Sequence, residues 1–316
     1  MTQDGASEMP APGVGHWEGE RLEVGRRYMY RPEFIPLLTE YLGARPETRI
    51  LDVGCGSGFL TRLLARTLEG VQIVGLDADE ELITQARREL RREDLDDRVE
   101  VVCGDAYQLP FADESFDMVT SHTVLCIMSD PAAGLREQIR VVRKGGVVSA
   151  VVCFCHTDGL PHYHGRYPLP GDHRIDELNY RLWQVWRRTV RPQLLQVDHS
   201  IVNQDLVWSF RDEGLGDIQV NGHLMLAAPG DDRIPVEAGA DYALSMHRQN
   251  LERLLLWRRE HGEELTAAGF GDAEFEELLD LKRARMAYLQ EEPSRVKEVM
   301  EVFTDPLIVI RGTRRR

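Results

Sequence analysis

An α/β fold, with a doubly wound, mostly parallel seven-stranded sheet and helical insertions, is predicted by three features of this 316-residue chain. First, Ile50-Leu51-Asp52-Val53 is a nearly continuous apolar run, as a buried parallel strand reads. It ends in Gly54-Cys55-Gly56-Ser57-Gly58, whose alternating glycines let the backbone turn sharply and lie against a ligand. Second, Ile73-Val74-Gly75-Leu76 closes on Asp77, and Val99 to Cys103 is followed by Gly104-Asp105-Ala106. Third, helical periodicity separates these runs, at Leu60, Leu63, Leu64 and Leu68, then at Leu82, Ile83, Ala86 and Leu90. Strands alternating with helices argue for a parallel sheet. Acids at the carboxyl ends of its strands mark the edge where open α/β sheets bind ligands.

In chain order, residues 1–30 are Gly- and Pro-rich and expected to be mobile. The core is expected over 31–155. It begins with a helix from Arg31-Pro32, with Phe34, Ile35, Leu38, Tyr41 and Leu42 on one face. Asp79 is placed to cap the helix after the second strand, with Glu80 and Glu81 in its first turn. The fifth strand is read as Val147 to Cys153. A first insertion, 156–200, carries a helix with Ile175, Leu178, Leu182, Trp183 and Trp186. Residues 201–220 hold a core helix near Gln204 to Glu213 and a sixth strand, Asp217 to Val220. A second insertion, 221–304, shows at least two helices, one with Leu244, Leu251, Leu254 and Leu255, the other with Phe275, Leu278, Leu279, Met286 and Leu289. The last strand, Leu307 to Ile310, falls in 305–316. The insertions are expected to pack as a cap over the strand ends. An oligomer interface, such as that of a homodimer, and a plain extension of the core are the other uses left open for them.

The glycine spacing bears on the ligand. A dinucleotide loop needs glycine at the sixth place so that pyrophosphate can rest on the next helix, and Phe59 stands there. Asp52-x-Gly54-x-Gly56-x-Gly58 instead resembles motif I of the class I S-adenosylmethionine (SAM)-dependent methyltransferases. Similar to that family as well are Leu109-Pro110-Phe111 with Ser115-Phe116-Asp117-Met118-Val119, then Ser121-His122-Thr123-Val124-Leu125, and Asp130-Pro131 through Gly145-Gly146. Together these blocks cover residues 46 to 155, and they resemble the small-molecule branch (methyltransferase type 11) that includes quinone C-methyltransferases.

The resemblance implies a Rossmann-like core, SAM as cofactor with S-adenosylhomocysteine as its product, and in-line methyl transfer to oxygen, nitrogen or carbon of a small organic acceptor. It implies a cofactor site of Asp52, Gly54, Cys55, Gly56 and Gly58 in the loop, Asp77 and Ala78 at the ribose, and Asp105 and Ala106 at the adenine. Ser121 and His122 follow the fourth strand, and Tyr28, Tyr30 and Arg31 belong to a segment that crosses the cofactor. A base is needed only when the acceptor must lose a proton, and His122, His156 and His162 are the candidates. Cys153, Cys155, His156, His162 and His164 have zinc-binding side chains, but their spacing fits no standard finger, and no metal is expected. Two alternatives stand beside this reading: an arsenite or other thiol-linked methyltransferase using Cys153 and Cys155, and a non-catalytic SAM-binding scaffold.

The net charge of −15 disfavours nucleic acid and anionic membrane surfaces as partners. No apolar run reaches membrane-spanning length, and Met1 to Gly13 lacks the apolar segment of a secretion signal. The 5 cysteines, an odd number, argue for reduced thiols, so the expected location is cytoplasmic. Cys103 and Cys126 read as small buried hydrophobes.

Overall fold

The computed structural model describes residues 30–153, 163–164, 167–190, 199–299 and 301–315. Tyr28, Cys155, His156 and His162 lie outside them. The described strands are β1 (Arg49–Val53), β2 (Gln72–Asp77), β3 (Val99–Cys103), β4 (Phe116–His122), β5 (Val142–Cys153), β6 (Tyr163–His164), β7 (Leu215–Ala227) and β8 (Val302–Arg314). They form one open sheet in the order β3-β2-β1-β4-β5-β8, with β7 on the far side of β8. β1 to β5 run parallel, and β8 is antiparallel to both β5 and β7. The two-residue β6 pairs with Val302 and Phe303 of β8, in line with the end of β5. The described sheet is therefore seven full strands and one short one.

Helices cover both faces. On one side lie α1 (Ile35–Leu42), α2 (Phe59–Thr67) and α3 (Glu80–Arg92), whose Leu38, Leu42, Leu64 and Ile83 are fully buried with Ile50 and Val309. On the other lie α4 (Pro131–Val141) and α6 (His199–Asp212), packing Leu135, Val141, Leu206 and Phe210 against Leu51, Val53, Val119 and Val148. Burial on both faces is why the central strands read as continuous apolar runs. Each such side chain contributes roughly 1.5–3 kcal/mol.

Several boundaries depart from the sequence reading. α1 begins at Ile35 rather than Arg31, because Arg31 to Phe34 forms a turn closed by the Phe34 amide on the Arg31 carbonyl at 2.9 Å. β7 and β8 far exceed the short apolar runs that announced them. They pair with each other from Leu215↔Arg314 to Ala227↔Phe303, past the point where β5 ends at Cys153↔Leu307. Backbone pairing carries this ribbon through Asn221, Gly222 and His223, which no apolar pattern marks. Cys103, read as buried, is exposed because β3 is the edge strand.

The ribbon carries a helical cap of α5 (Arg174–Thr189), α7 (Val236–Ala267), α8 (Asp272–Glu291) and the short α9 (Val296–Val299). Its core buries Ile175, Leu178, Leu182, Leu254, Phe270, Phe275 and Leu278. Trp186 stacks on Trp183 at 5.2 Å and on Trp257 at 4.9 Å, so these indoles belong to the cap core. A buried polar cluster fastens the cap to the start of β8. Glu301 Oε2 lies 2.9 Å from His247 Nε2 and accepts from the Tyr167 hydroxyl at 3.0 Å. Arg285 grips Asp172 with two hydrogen bonds, at 2.6 and 2.9 Å, while its guanidinium lies over the Tyr167 ring. Burial alone would raise the Glu301 carboxyl, yet His247, Arg285 and the Tyr167 hydroxyl together hold it below the usual glutamate range.

Candidate functional site

The carboxyl ends of β1, β2 and β4, with the loop after β3, meet at one rim of the sheet. β1 turns at Gly54 (φ 68°), and the loop passes Gly56 (φ 56°) before Gly58 (φ 81°) starts α2. Left-handed angles at alternate positions explain the glycine spacing. The amides of Gly54 and Cys55 both bond the Leu76 carbonyl, at 2.6 and 2.9 Å, which ties the loop to β2. A Cβ on Gly54 would lie 2.2 Å from Val124 Cγ2. Gly54 is therefore needed for packing under the loop. A Cβ on Gly56 meets nothing within 4 Å, so the open space lies there.

The three acids differ in role. Asp52 is fully buried, and its Oδ2 accepts from Thr61 Oγ1 at 2.6 Å, bracing the first turns of α2 from beneath. Asp77, half-buried, accepts the Gly56 amide on Oδ2 at 2.8 Å and the Asp79 amide on Oδ1 at 3.0 Å. Asp105 is exposed and holds its loop by accepting the Tyr107 amide at 2.8 Å. Ala78 is exposed beside Asp77, and Ala106 is half-buried beside Asp105.

Cys55 is buried in this acidic corner. Desolvation first, then the charges of Asp52 and Asp77, push its thiol well above the ordinary cysteine range, so it stays neutral and unreactive. Arg62, the nearest cation below the loop, is engaged by the Ser57 carbonyl at 2.6 Å and by Glu93 at 3.1 Å.

His122 ends β4. Its Nε2 lies 2.5 Å from the Tyr30 hydroxyl, and both residues are buried. Ser121 projects from the other face of the strand and is buried there, so only its backbone reaches the rim. Thr123, next in the chain, has φ 59°, a left-handed angle that strains a β-branched residue. Its amide is anchored on the Val151 carbonyl at 2.8 Å. Tyr30 packs against Phe59 and Phe34, and Phe34 stacks on His223 of β7 at 4.0 Å and 11°. An aromatic wall thus runs from the end of β4 to β7.

The structure brings together Tyr30, Asp52, Cys55, Gly56, Asp77 and His122 from the expected set. The paired Cys and His after β5 fall outside the described side chains. Thr61, Phe34 and His223 were missed. Thr61 lies in α2, across the glycine loop from Asp52 in β1, with nothing in the sequence to mark it, and His223 meets Phe34 only because β7 returns beside the first helix.

This is the architecture of a doubly wound α/β domain in which a carboxylate, Asp77, accepts the hydrogen bond of a glycine-loop amide. Residues 51–150 match the methyltransferase-domain family model. Among similar proteins, a demethylmenaquinone methyltransferase of Beutenbergia cavernae is 44% identical over 133 residues, 39% of this chain and 52% of the relative. A 24-methylenesterol C-methyltransferase 2 of Oryza sativa is 35% identical over 136 residues, 43% of this chain and 34% of the relative. The chain spans between 31% and 56% of the length of relatives such as these. Among solved structures, the [4+2]-cyclase SpnF is 21% identical with a TM-score of 0.46, covering 90% of this chain and 82% of that one.

Proposed function

We propose that this protein is a SAM-dependent methyltransferase acting on a small organic acceptor, at oxygen, nitrogen or carbon. The hydrogen bond from the Gly56 amide to Asp77 carries the reading. A pyrophosphate at that amide would meet a carboxylate, whereas a cationic, phosphate-free adenosyl ligand suits an acidic corner. The open space over Gly56 and the neutral Cys55 thiol fit the same ligand.

In this reading Asp77 takes the ribose hydroxyls, Asp105 and Ala106 face the adenine, and the Gly56 backbone lies along the methionine end. Bound SAM supplies a methyl group on a sulfonium, an excellent leaving group. The residues then have two tasks: to hold an acceptor lone pair in line with the methyl and to exclude water. The aromatic wall of Tyr30, Phe34 and His223 is suited to both. The net charge of −15 supports an enzyme that works without nucleic acid or an anionic membrane surface, and the odd number of cysteines supports the cytoplasm.

Titration calorimetry with SAM and S-adenosylhomocysteine tests the site. Both are expected to bind, and Asp77→Ala to weaken binding by about 2–4 kcal/mol, two charge-assisted hydrogen bonds. Absence of heat from either ligand would overturn the proposal.

A further inference from the structure

We infer that Tyr30 and His122 form a proton relay serving the acceptor, and that the acceptor is a protic nucleophile such as a phenol or an enol. This rests on the methyl-transfer reading above. The Tyr30 hydroxyl lies 2.5 Å from His122 Nε2, with the two side chains 5% and 8% exposed. The ring packs against Phe34 and Phe59, and the hydroxyl, the group that phenylalanine lacks, is the part that meets His122. A buried tyrosine that donates to an imidazole keeps lone pairs on its oxygen. The strained Thr123 fixes the turn that follows His122, and strain of this kind collects at functional sites.

The step balances. The acceptor oxygen forms its bond to the methyl carbon as the carbon–sulfur bond breaks, its electrons remaining on sulfur. The acceptor proton passes to Tyr30 Oη while the Tyr30 proton moves to His122 Nε2. The single positive charge that began on the sulfonium ends on the imidazolium. A thiolate or carboxylate acceptor carries no such proton and would leave the relay idle.

The donor's charge then times the base. A sulfonium beside His122 disfavours imidazolium, and the neutral thioether product removes that penalty. Among the described residues, the other titratable groups brought to this corner are Asp52 at the end of β1, Asp77 at the end of β2, Cys55 in the loop and His223 of β7, which stacks on Phe34. They are the same with either ligand, so comparing the two ligands isolates the sulfonium.

The test is histidine nitrogen NMR on the full chain, with His122 assigned through His122→Gln. Its pH titration is followed under saturating SAM and under saturating S-adenosylhomocysteine, and repeated in Tyr30→Phe. We expect His122 to titrate about one pH unit lower with SAM, and its Nε2 resonance to move in Tyr30→Phe. Coincident titrations with both ligands bound would overturn the relay and leave the methyl-transfer reading standing. An Nε2 resonance indifferent to Tyr30→Phe would do the same. Failure of both ligands to bind would remove the reading and the relay together.

Discussion

Glu301, the residue before β8, lies 2.9 Å from His247 Nε2 on the long helix α7, joining the first backbone of the last core strand to the middle of the cap. Tyr167 and Arg285 meet the same carboxylate from two further cap segments. Three other parts of the chain, at Tyr167, His247 and Arg285, therefore converge on one fully buried side chain.

Removing that carboxylate strands the partners that surround it. Glu301→Ala is expected to cost about 3–5 kcal/mol, the range for breaking a buried ionic cluster. Chemical denaturation followed by circular dichroism reads the loss, and a change below about 1 kcal/mol would contradict the fastening role. The pH dependence has a definite sign. The folded carboxyl sits below the usual glutamate value, so its contribution is present above that value and lost as pH falls through the folded one. Glu301→Gln should therefore blunt the loss of stability in acid.

Lys282, buried in α8, behaves oppositely. Burial first, and then Arg285 and Arg253, lower its ammonium to about 7. Between that value and the ordinary lysine range the unfolded chain binds more protons, so stability rises with pH there. Lys282→Met should stabilise the protein by roughly 1–4 kcal/mol below neutrality. The gain should shrink as the pH rises toward the ordinary lysine range, above which the lysine is neutral in both states. Denaturation curves at pH 6 and pH 9 compare the two, and an equal gain at both would refute the assignment.

Arg140 explains the passage from Leu109 to Asp117. From α4 it donates to the carbonyls of Leu109 and Phe111, each at 2.9 Å, and to Asp113 at 2.7 Å. Its hydrogen bonds to Glu137 hold that carboxyl below the usual glutamate range. Arg140→Ala should cost about 2 kcal/mol, several charge-assisted hydrogen bonds discounted for partial exposure. Protease cutting should become faster between 109 and 117, and unchanged cutting would show that the passage is held by its apolar contacts alone.

The two loop glycines should separate. Both are left-handed, so alanine costs about 1–2 kcal/mol of strain at either. At Gly54 the new methyl also meets Val124, and at Gly56 it meets open space. Gly54→Ala should therefore lower thermal stability the more, with partial rescue by Val124→Ala. Gly56→Ala should leave stability closer to wild type while weakening SAM binding, and a calorimetric affinity equal to wild type would argue against ligand contact there.

Much of this protein was legible in the linear chain because its information is local. Ile50 to Val53 and Ile73 to Leu76 declare parallel strands through their own side chains, and the glycine spacing from Gly54 to Gly58 is a demand of backbone angles within five residues. Asp79 caps its helix through amides two and three positions on, again a local matter. What folding alone settled involves partners distant in sequence. The Tyr30–His122 contact spans 92 positions, and Tyr167 meets Glu301 across 134. The ribbon of β7 and β8 is held by main-chain pairing that side-chain periodicity does not encode. Asp52 and Asp77, alike in the sequence, were assigned as brace and rim only by burial, a property of the packed molecule and not of either residue.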